Sequence, residues 1–211
     1  PYQQRRRFAS GVGDREVVSF DDVLMSLRTD KSRRERDQVA RAARMLTDVH
    51  DALPSDGPVE ETTLASEADR RARLRGAQDF RFLVANPSAT EPHLRPAEER
   101  PVAADDPLVV YTAGRFEGYW AECARTLRLD GEQPYGAYDD AVAAYTDFLD
   151  VLRAGNDTDD AVAVARDAVD NAELALASEY DFGHGIGLAV DEAPVLDGGA
   201  TELHTGMTVS A

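Results

Sequence analysis

Between Phe182 and Leu188 the chain reads Phe-Gly-His-Gly-Ile-Gly-Leu, so three glycines alternate around His184 and Ile186. Glycine adopts backbone conformations and close approaches that a side chain forbids, and each one costs conformational entropy on folding. Such a run constrains the fold to hold the segment in one shape, with an imidazole presented from it. A histidine in a plain loop would not need that frame, so the frame favours a shaped site. Asp191-Glu192-Ala193-Pro194 follows closely and adds two carboxylates behind the histidine.

A shaped site needs a core to hold it. At 211 residues with 43% hydrophobic content, the chain can bury one core, since a domain of this size removes roughly 70% of its unfolded surface from water. The 40 acidic and 23 basic side chains give a formal net charge of −17. That charge repels nucleic acid and anionic membranes and removes both from the expected partners. Lys31 is the only lysine, so the positive charge is otherwise arginine. Dense surface carboxylates stay soluble where salt screens their repulsion, which points to a salt-adapted (halophilic) protein; an acidic protein from a GC-rich genome would also exchange Lys for Arg. No run of eighteen apolar residues occurs, and Arg5-Arg6-Arg7 leads into no apolar stretch, so a cytoplasmic location is expected. Cys123 is single, which excludes an internal disulfide and gives no zinc signature.

Residues 1–20 are polar and Arg-rich and read as an exposed lead-in or linker to a domain over 21–211. Ser32-Arg33-Arg34-Glu35 fits a capping box, and Val39, Ala43, Leu46 and Val49 recur at helical spacing, predicting a helix from there to about Ala52. A second helix is expected over 61–75, ending before Gly76. Phe82–Ala85 and Leu108–Tyr111 read as strands, joined by a proline-rich loop from Asn86 to Pro107 without regular structure. Phe116 to Leu129 reads as a hairpin turning near Glu117-Gly118. Two more helices are expected, Asp139 to Arg153 closed by Gly155, and Asp157 to Ser178 with Val162, Val164, Ala165, Val169 and Leu174 as its buried stripe. Elements of both kinds in blocks give an α+β class.

With these elements placed, four segments in order resemble one family. Gly183-His184-Gly185-Ile186-Gly187-Leu188 with Asp191-Glu192-Ala193-Pro194 is similar to the Gly-His-Gly-Ile-Gly-Leu-x-x-His-Glu-x-Pro signature of the prolidase, aminopeptidase P and creatinase family. Gly118-Tyr119-Trp120-Ala121-Glu122-Cys123-Ala124-Arg125-Thr126 resembles that family's Gly-Tyr-x-x-Asp-x-Thr-Arg-Thr. Pro92-His93 falls where the family has a substrate-binding histidine, and Leu27 to Ser32 with Glu35 looks like the lead into the domain. The resemblance spans roughly residues 20–211. It implies a pita-bread fold, a curved antiparallel sheet flanked by helices. It also implies a hydrolase site in which two Asp, one His and two Glu hold two divalent cations such as Mn, Co, Zn or Fe and activate a water between them.

Residue by residue the pattern is altered. Tyr111 stands at the first Asp position, eleven residues before Glu122, which stands at the second; a phenol is a poor ligand for these cations. His184 matches the histidine ligand. Asp191 replaces the substrate-contacting histidine before Glu192. The two Glu ligands are expected from the strand after Gly206-Met207 and the strand beyond it, but the sequence stops at Ala211, so either the domain is cut short at its C-terminal end or that strand is missing. The expected site is therefore His93 and His184 in catalysis, Tyr111 and Asp191 against substrate, and Glu122 and His184 toward a metal, with a site free of metal as the alternative. Arg125 is expected to pair with Glu122 or Glu117, and His50 and His204 to lie on the surface. Three functions stay open. The first is a metallopeptidase of the Xaa-Pro type. The second is a creatinase-like, metal-independent C–N hydrolase with His93 as base. The third is a non-catalytic peptide-binding or assembly module on the same fold. The expected partner is a peptide or small amide, and a homodimer, as relatives commonly form.

Overall fold

The computed structural model describes residues 11–12, 18–54, 58–86, 93–132, 138–171, 182–197 and 199–211. Its organising element is the helix that the capping box starts. The Ser32 backbone N–H donates to Glu35 Oε2 at 2.7 Å, and the Glu35 N–H returns to Ser32 Oγ at 3.4 Å, which satisfies two of the donors a helix start leaves open. A short helix α1, Asp21–Thr29, precedes this one, α2, Arg33–His50; α1 was not anticipated from the sequence. The buried stripe of α2 is Ala42, Met45, Leu46 and Val49, whereas Ala43 is exposed.

Strand β1 (Val59–Glu60) leads into helix α3 (Glu61–Leu74), which ends before Gly76 as expected. Then come β2 (Asp79–Ala85), β3 (Arg95–Pro96), β4 (Pro101–Val102), β5 (Leu108–Phe116) and β6 (Tyr119–Leu127). The expected strand at Leu108 and the expected hairpin after Phe116 are one long hairpin, β5–β6, turning at Glu117-Gly118, both with positive φ. The loop from Asn86 to Pro107 is not structureless as expected. β3 pairs with β2 and β4 with β1, both at edges where proline is tolerated, while residues 87–92 lie outside the described residues. Helices α4 (Tyr138–Val151) and α5 (Thr158–Asn171) follow; α4 stops before Arg153, and the part of the α5 expectation from 172 to Ser178, with Leu174, lies outside the described residues. Strands β7 (His184–Gly185), β8 (Glu192–Val195) and β9 (Val209–Ser210) close the fold.

Among the described residues the sheets are antiparallel throughout, in the orders β1-β4, β3-β2-β5-β6 and β8-β7-β9. One core forms where α2 and α3 lie on the four-stranded sheet: Leu46, Val49, Leu64, Ala68, Val84 and Val110 are each 0% exposed. Burying side chains of the Val and Leu type stabilises by about 1.5–3 kcal/mol each. A second core joins Phe148 of α4 to Ala161, Val162 and Ala165 of α5 and to Leu196 after β8. The structure is thus α+β, with one face of the main sheet covered by helices.

His50 departs from expectation. It is 4% exposed, not on the surface; its Nε2 lies 2.9 Å from Thr112 Oγ1 on β5, and its Nδ1 is buried without a partner. Burial, and then the charge of Arg125, push its pKa down to about 4 from 6.5. The folded state therefore favours the neutral ring. Its contribution is complete above pH 6.5 and is lost as pH falls through 6.5 toward 4. Stability should fall by roughly 2–3 kcal/mol across that window. Urea denaturation at about pH 7 and pH 5 measures the loss, and His50→Gln should flatten the profile; an equal slope in the variant would remove His50 as the cause.

Candidate functional site

Strand register builds the first half of the site. Tyr111 pairs with Ala124 and Ala113 with Glu122 across β5 and β6, so Tyr111 and Glu122 are diagonal neighbours on one face of the hairpin. The other face turns to α2, where Thr112 meets His50. The Tyr111 hydroxyl donates to Glu122 Oε1. Burial, and then the Glu122 carboxylate itself, push the Tyr111 phenol well above its ordinary pKa, so it stays protonated and keeps donating. Arg125 takes neither expected partner. It lies on β6 facing the end of α2 and pairs with Asp51 at 2.8 Å.

The glycine frame builds the second half. β7 runs between β8 and β9 in a three-stranded sheet. A Cβ on Gly185 would lie 2.0 Å from the Ala193 carbonyl oxygen, and one on Gly183, whose φ is 146°, would lie 2.2 Å from that of Ser210. Backbone packed that closely admits only glycine on both sides of His184. Beyond it, the Trp120 N–H donates to Gly187 O at 2.7 Å and the Ile186 N–H to Thr208 O at 3.0 Å, which moors the segment to β6 on one side and to the residue before β9 on the other. His184 Nδ1 lies 3.1 Å from the Gly185 carbonyl; a carbonyl only accepts, so Nδ1 carries hydrogen and Nε2 is left to face the hairpin. There it lies 3.5 Å from Glu122 Oε2 and 3.3 Å from Asp191 Oδ1.

Glu192, next to Asp191, holds the segment from behind. Its carboxylate, 2% exposed, takes Lys31 Nζ at 3.0 Å, the Ala189 N–H at 2.9 Å and the Arg28 guanidinium. Burial alone would raise its pKa; the Ala189 N–H, Lys31 and Arg28 reverse that and hold it below the usual range. The chain's only lysine thus ties α1 and α2 to the site loop, an element that the sequence reading did not find.

Of the expected residues, Tyr111, Glu122, His184 and Asp191 come together. His93 is exposed ahead of β3 and is not among the described residues that line the site's cavity. That cavity, about 260 Å³, is bounded by Tyr111, Glu122, Phe182, His184 and Ser210. It lies just below the usual range of ligand pockets, which starts at about 300 Å³, so it admits only a small ligand.

A pair of divalent cations needs ionised oxygen donors that are free to turn toward it. Tyr111 offers a protonated phenol, and its hydrogen bond occupies one oxygen of Glu122. Among the described residues, the ligand atoms that gather within 4.8 Å of one another belong to Asp157, Asp159 and Asp160 at the start of α5; Glu122, His184 and Asp191 do not converge to that degree. Asp191 is 83% exposed at its side chain, so water solvates it. Among the described residues, Tyr111 and Glu122 are thus bonded to each other rather than opened together toward a pair of cations.

Residues 37–211 match metallopeptidase family M24. The chain is 29% identical over 205 residues to the probable dipeptidase PepE of Mycobacterium tuberculosis, covering 92% of this chain and 53% of that protein. Among solved structures, it superposes on the prolidase from Pyrococcus horikoshii with a TM-score of 0.86 at 20% identity, over 99% of this chain and 62% of that one. The X-Pro aminopeptidase from Thermotoga maritima gives a TM-score of 0.84 at 22% identity, over 99% and 61%. The chain therefore spans about half the length of the curated relative it matches, and its fold is the pita-bread fold of those structures. Among the described residues no helix is long and apolar enough to cross a membrane. On this match, over most of its length, the chain belongs to metallopeptidase family M24.

Proposed function

We propose that this chain binds short peptides in the cleft between the β5–β6 hairpin and the His184 segment, and does so without an assembled two-metal centre. The observation that carries this reading is the Tyr111 hydroxyl donating to Glu122 where the resemblance calls for two metal-binding Asp. A phenol held protonated is no ligand for a hard cation, and it occupies the carboxylate that remains. The cleft itself is kept. His184 retains its frame, the cavity admits a small ligand, and the relatives carry the names dipeptidase, prolidase and X-Pro aminopeptidase. The shared fold supplies a recognition surface, and the substituted residues remove the hydrolytic part.

The test combines elemental analysis with turnover. The purified protein should hold well under one equivalent of Mn, Co, Zn or Fe, and an X-Pro dipeptide incubated with added Mn²⁺ or Co²⁺ should remain intact while binding in calorimetry. Stoichiometric metal together with hydrolysis would overturn the proposal.

A further inference from the structure

The same face of the sheet carries a second cluster. Trp120, two residues before Glu122 on β6, is 5% exposed. The Cζ of Arg81 lies 4.9 Å from its ring centroid and that of Arg115 lies 5.7 Å away. Register accounts for the grouping: Arg115 pairs with Trp120, and Arg81 pairs with Ala113, whose other neighbour is Glu122. Ile186 of the His184 segment packs with Trp120 and Ala113, so the cluster adjoins the site.

Stacking a guanidinium on an indole is favourable, but two such cations on one ring repel each other. Among the described residues their charge is not matched locally. Asp79 sits across from Arg115 in the register yet accepts its neighbour Phe80's N–H instead. Among the described residues neither guanidinium makes a hydrogen bond or an ion pair, and Arg115 Nε is buried with no partner. Other arginines here find carboxylates, as Arg28, Arg95 and Arg125 do. In a chain with 40 acidic residues, an unmatched pair of this kind is not explained by a shortage of anions. A guanidinium with free N–H groups is the side chain suited to a carboxylate. The distance also suits: residues two apart on a strand are separated by roughly 7 Å, about the reach of two extended residues of a ligand.

We infer that Arg81 and Arg115, stacked on Trp120, form the subsite that receives a carboxylate of the peptide held against Tyr111 and Glu122. The inference rests on the peptide-binding reading and adds ligand selection to it. The charge of Arg81 already reaches Tyr111, whose phenol it acts on against the effect of burial, so the subsite and the cleft share one field.

Trp120 is the only tryptophan in the sequence, and its fluorescence reports the subsite directly. Titrations would use Ala-Pro, Ala-Pro amide, and Ala-Glu amide, whose only carboxylate is on the side chain, with calorimetry in parallel. Ala-Pro should change the Trp120 emission and bind at least about tenfold more tightly than Ala-Pro amide. Arg81→Gln, at an exposed position, and Arg115→Gln should each erase that preference while Ala-Pro amide, which has no carboxylate to lose, binds as before. Tight binding of Ala-Glu amide would assign the carboxylate to a side chain; binding of Ala-Pro alone would assign it to the C-terminus. Equal binding of Ala-Pro and its amide, with Ala-Glu amide binding no more tightly than either, would overturn the subsite and leave the peptide-binding reading standing. No calorimetric binding of any of the three would overturn both.

Discussion

Glu192→Ala should lower the melting temperature by roughly 10 °C. The side chains of Glu192 and Lys31 are each 2% exposed and lie 3.0 Å apart. Removing one member of a buried ion pair strands the other charge away from water, at about 3–5 kcal/mol, and each kcal/mol shifts the transition by about 2–4 °C in a chain of this size. Arg28, 34% exposed at its side chain, can turn to solvent; Lys31 cannot without opening the join between α1, α2 and the site loop. The Ala189 N–H would also lose its acceptor. Thermal denaturation followed by circular dichroism measures the shift. Replacing both members, Lys31→Met with Glu192→Leu, should recover most of the loss, because the apolar pair leaves no stranded charge. A shift of a degree or two for Glu192→Ala alone would show that Lys31 reaches water readily and that the clamp does not hold the loop.

The clamp also marks the limit of what the sequence discloses. Ser32 and Glu35 act on each other within one helical turn, so their capping box was legible and starts α2 where expected. The glycines around His184 were legible for a related reason: a Cβ at Gly183 or Gly185 would collide with backbone, and only glycine relieves that. Tyr111, Glu122, His184 and Asp191 were named together because a family pattern placed them on a shared site, and they do meet. What stayed hidden depends on contacts between residues far apart in sequence. Lys31 and Glu192 are separated by 161 positions. In the sequence Lys31 stands out only as the single lysine, a signal of composition and not of place. His50 read as a surface residue because it ends α2; only the approach of β5 buries it against Thr112. Arg125 was assigned to Glu122 or Glu117 by nearness along the hairpin, whereas the end of α2 brings Asp51 to it. Nothing in the sequence joins Arg81 and Arg115 to Trp120, because strand register, not spacing, gathers them.

The double substitution Tyr111→Asp with Glu122→Asp should turn a site that does not retain divalent cations into one that does. The first change removes the phenol that donates to Glu122 and supplies a carboxylate at the first ligand position of the resemblance; the second shortens the remaining acid by one methylene to the family's residue. His184 needs no change, since its Nε2 already faces that spot from a backbone frame that cannot shift freely. Outer partners of metal ligands are commonly worth ten- to hundredfold in affinity, so restoring two direct ligands should raise Mn²⁺ or Co²⁺ affinity by roughly a hundredfold or more. Each single variant should gain far less, because hard cations need the carboxylates together. Calorimetric titration of the apo-protein with each metal is the measurement. If the unaltered protein bound Mn²⁺ as tightly as the double variant, the Tyr111–Glu122 hydrogen bond would not be what closes the site to metal. If the double variant stayed folded and gained nothing, the block would lie outside this hairpin, and Tyr111 would then be a consequence of the lost metal chemistry and not its cause.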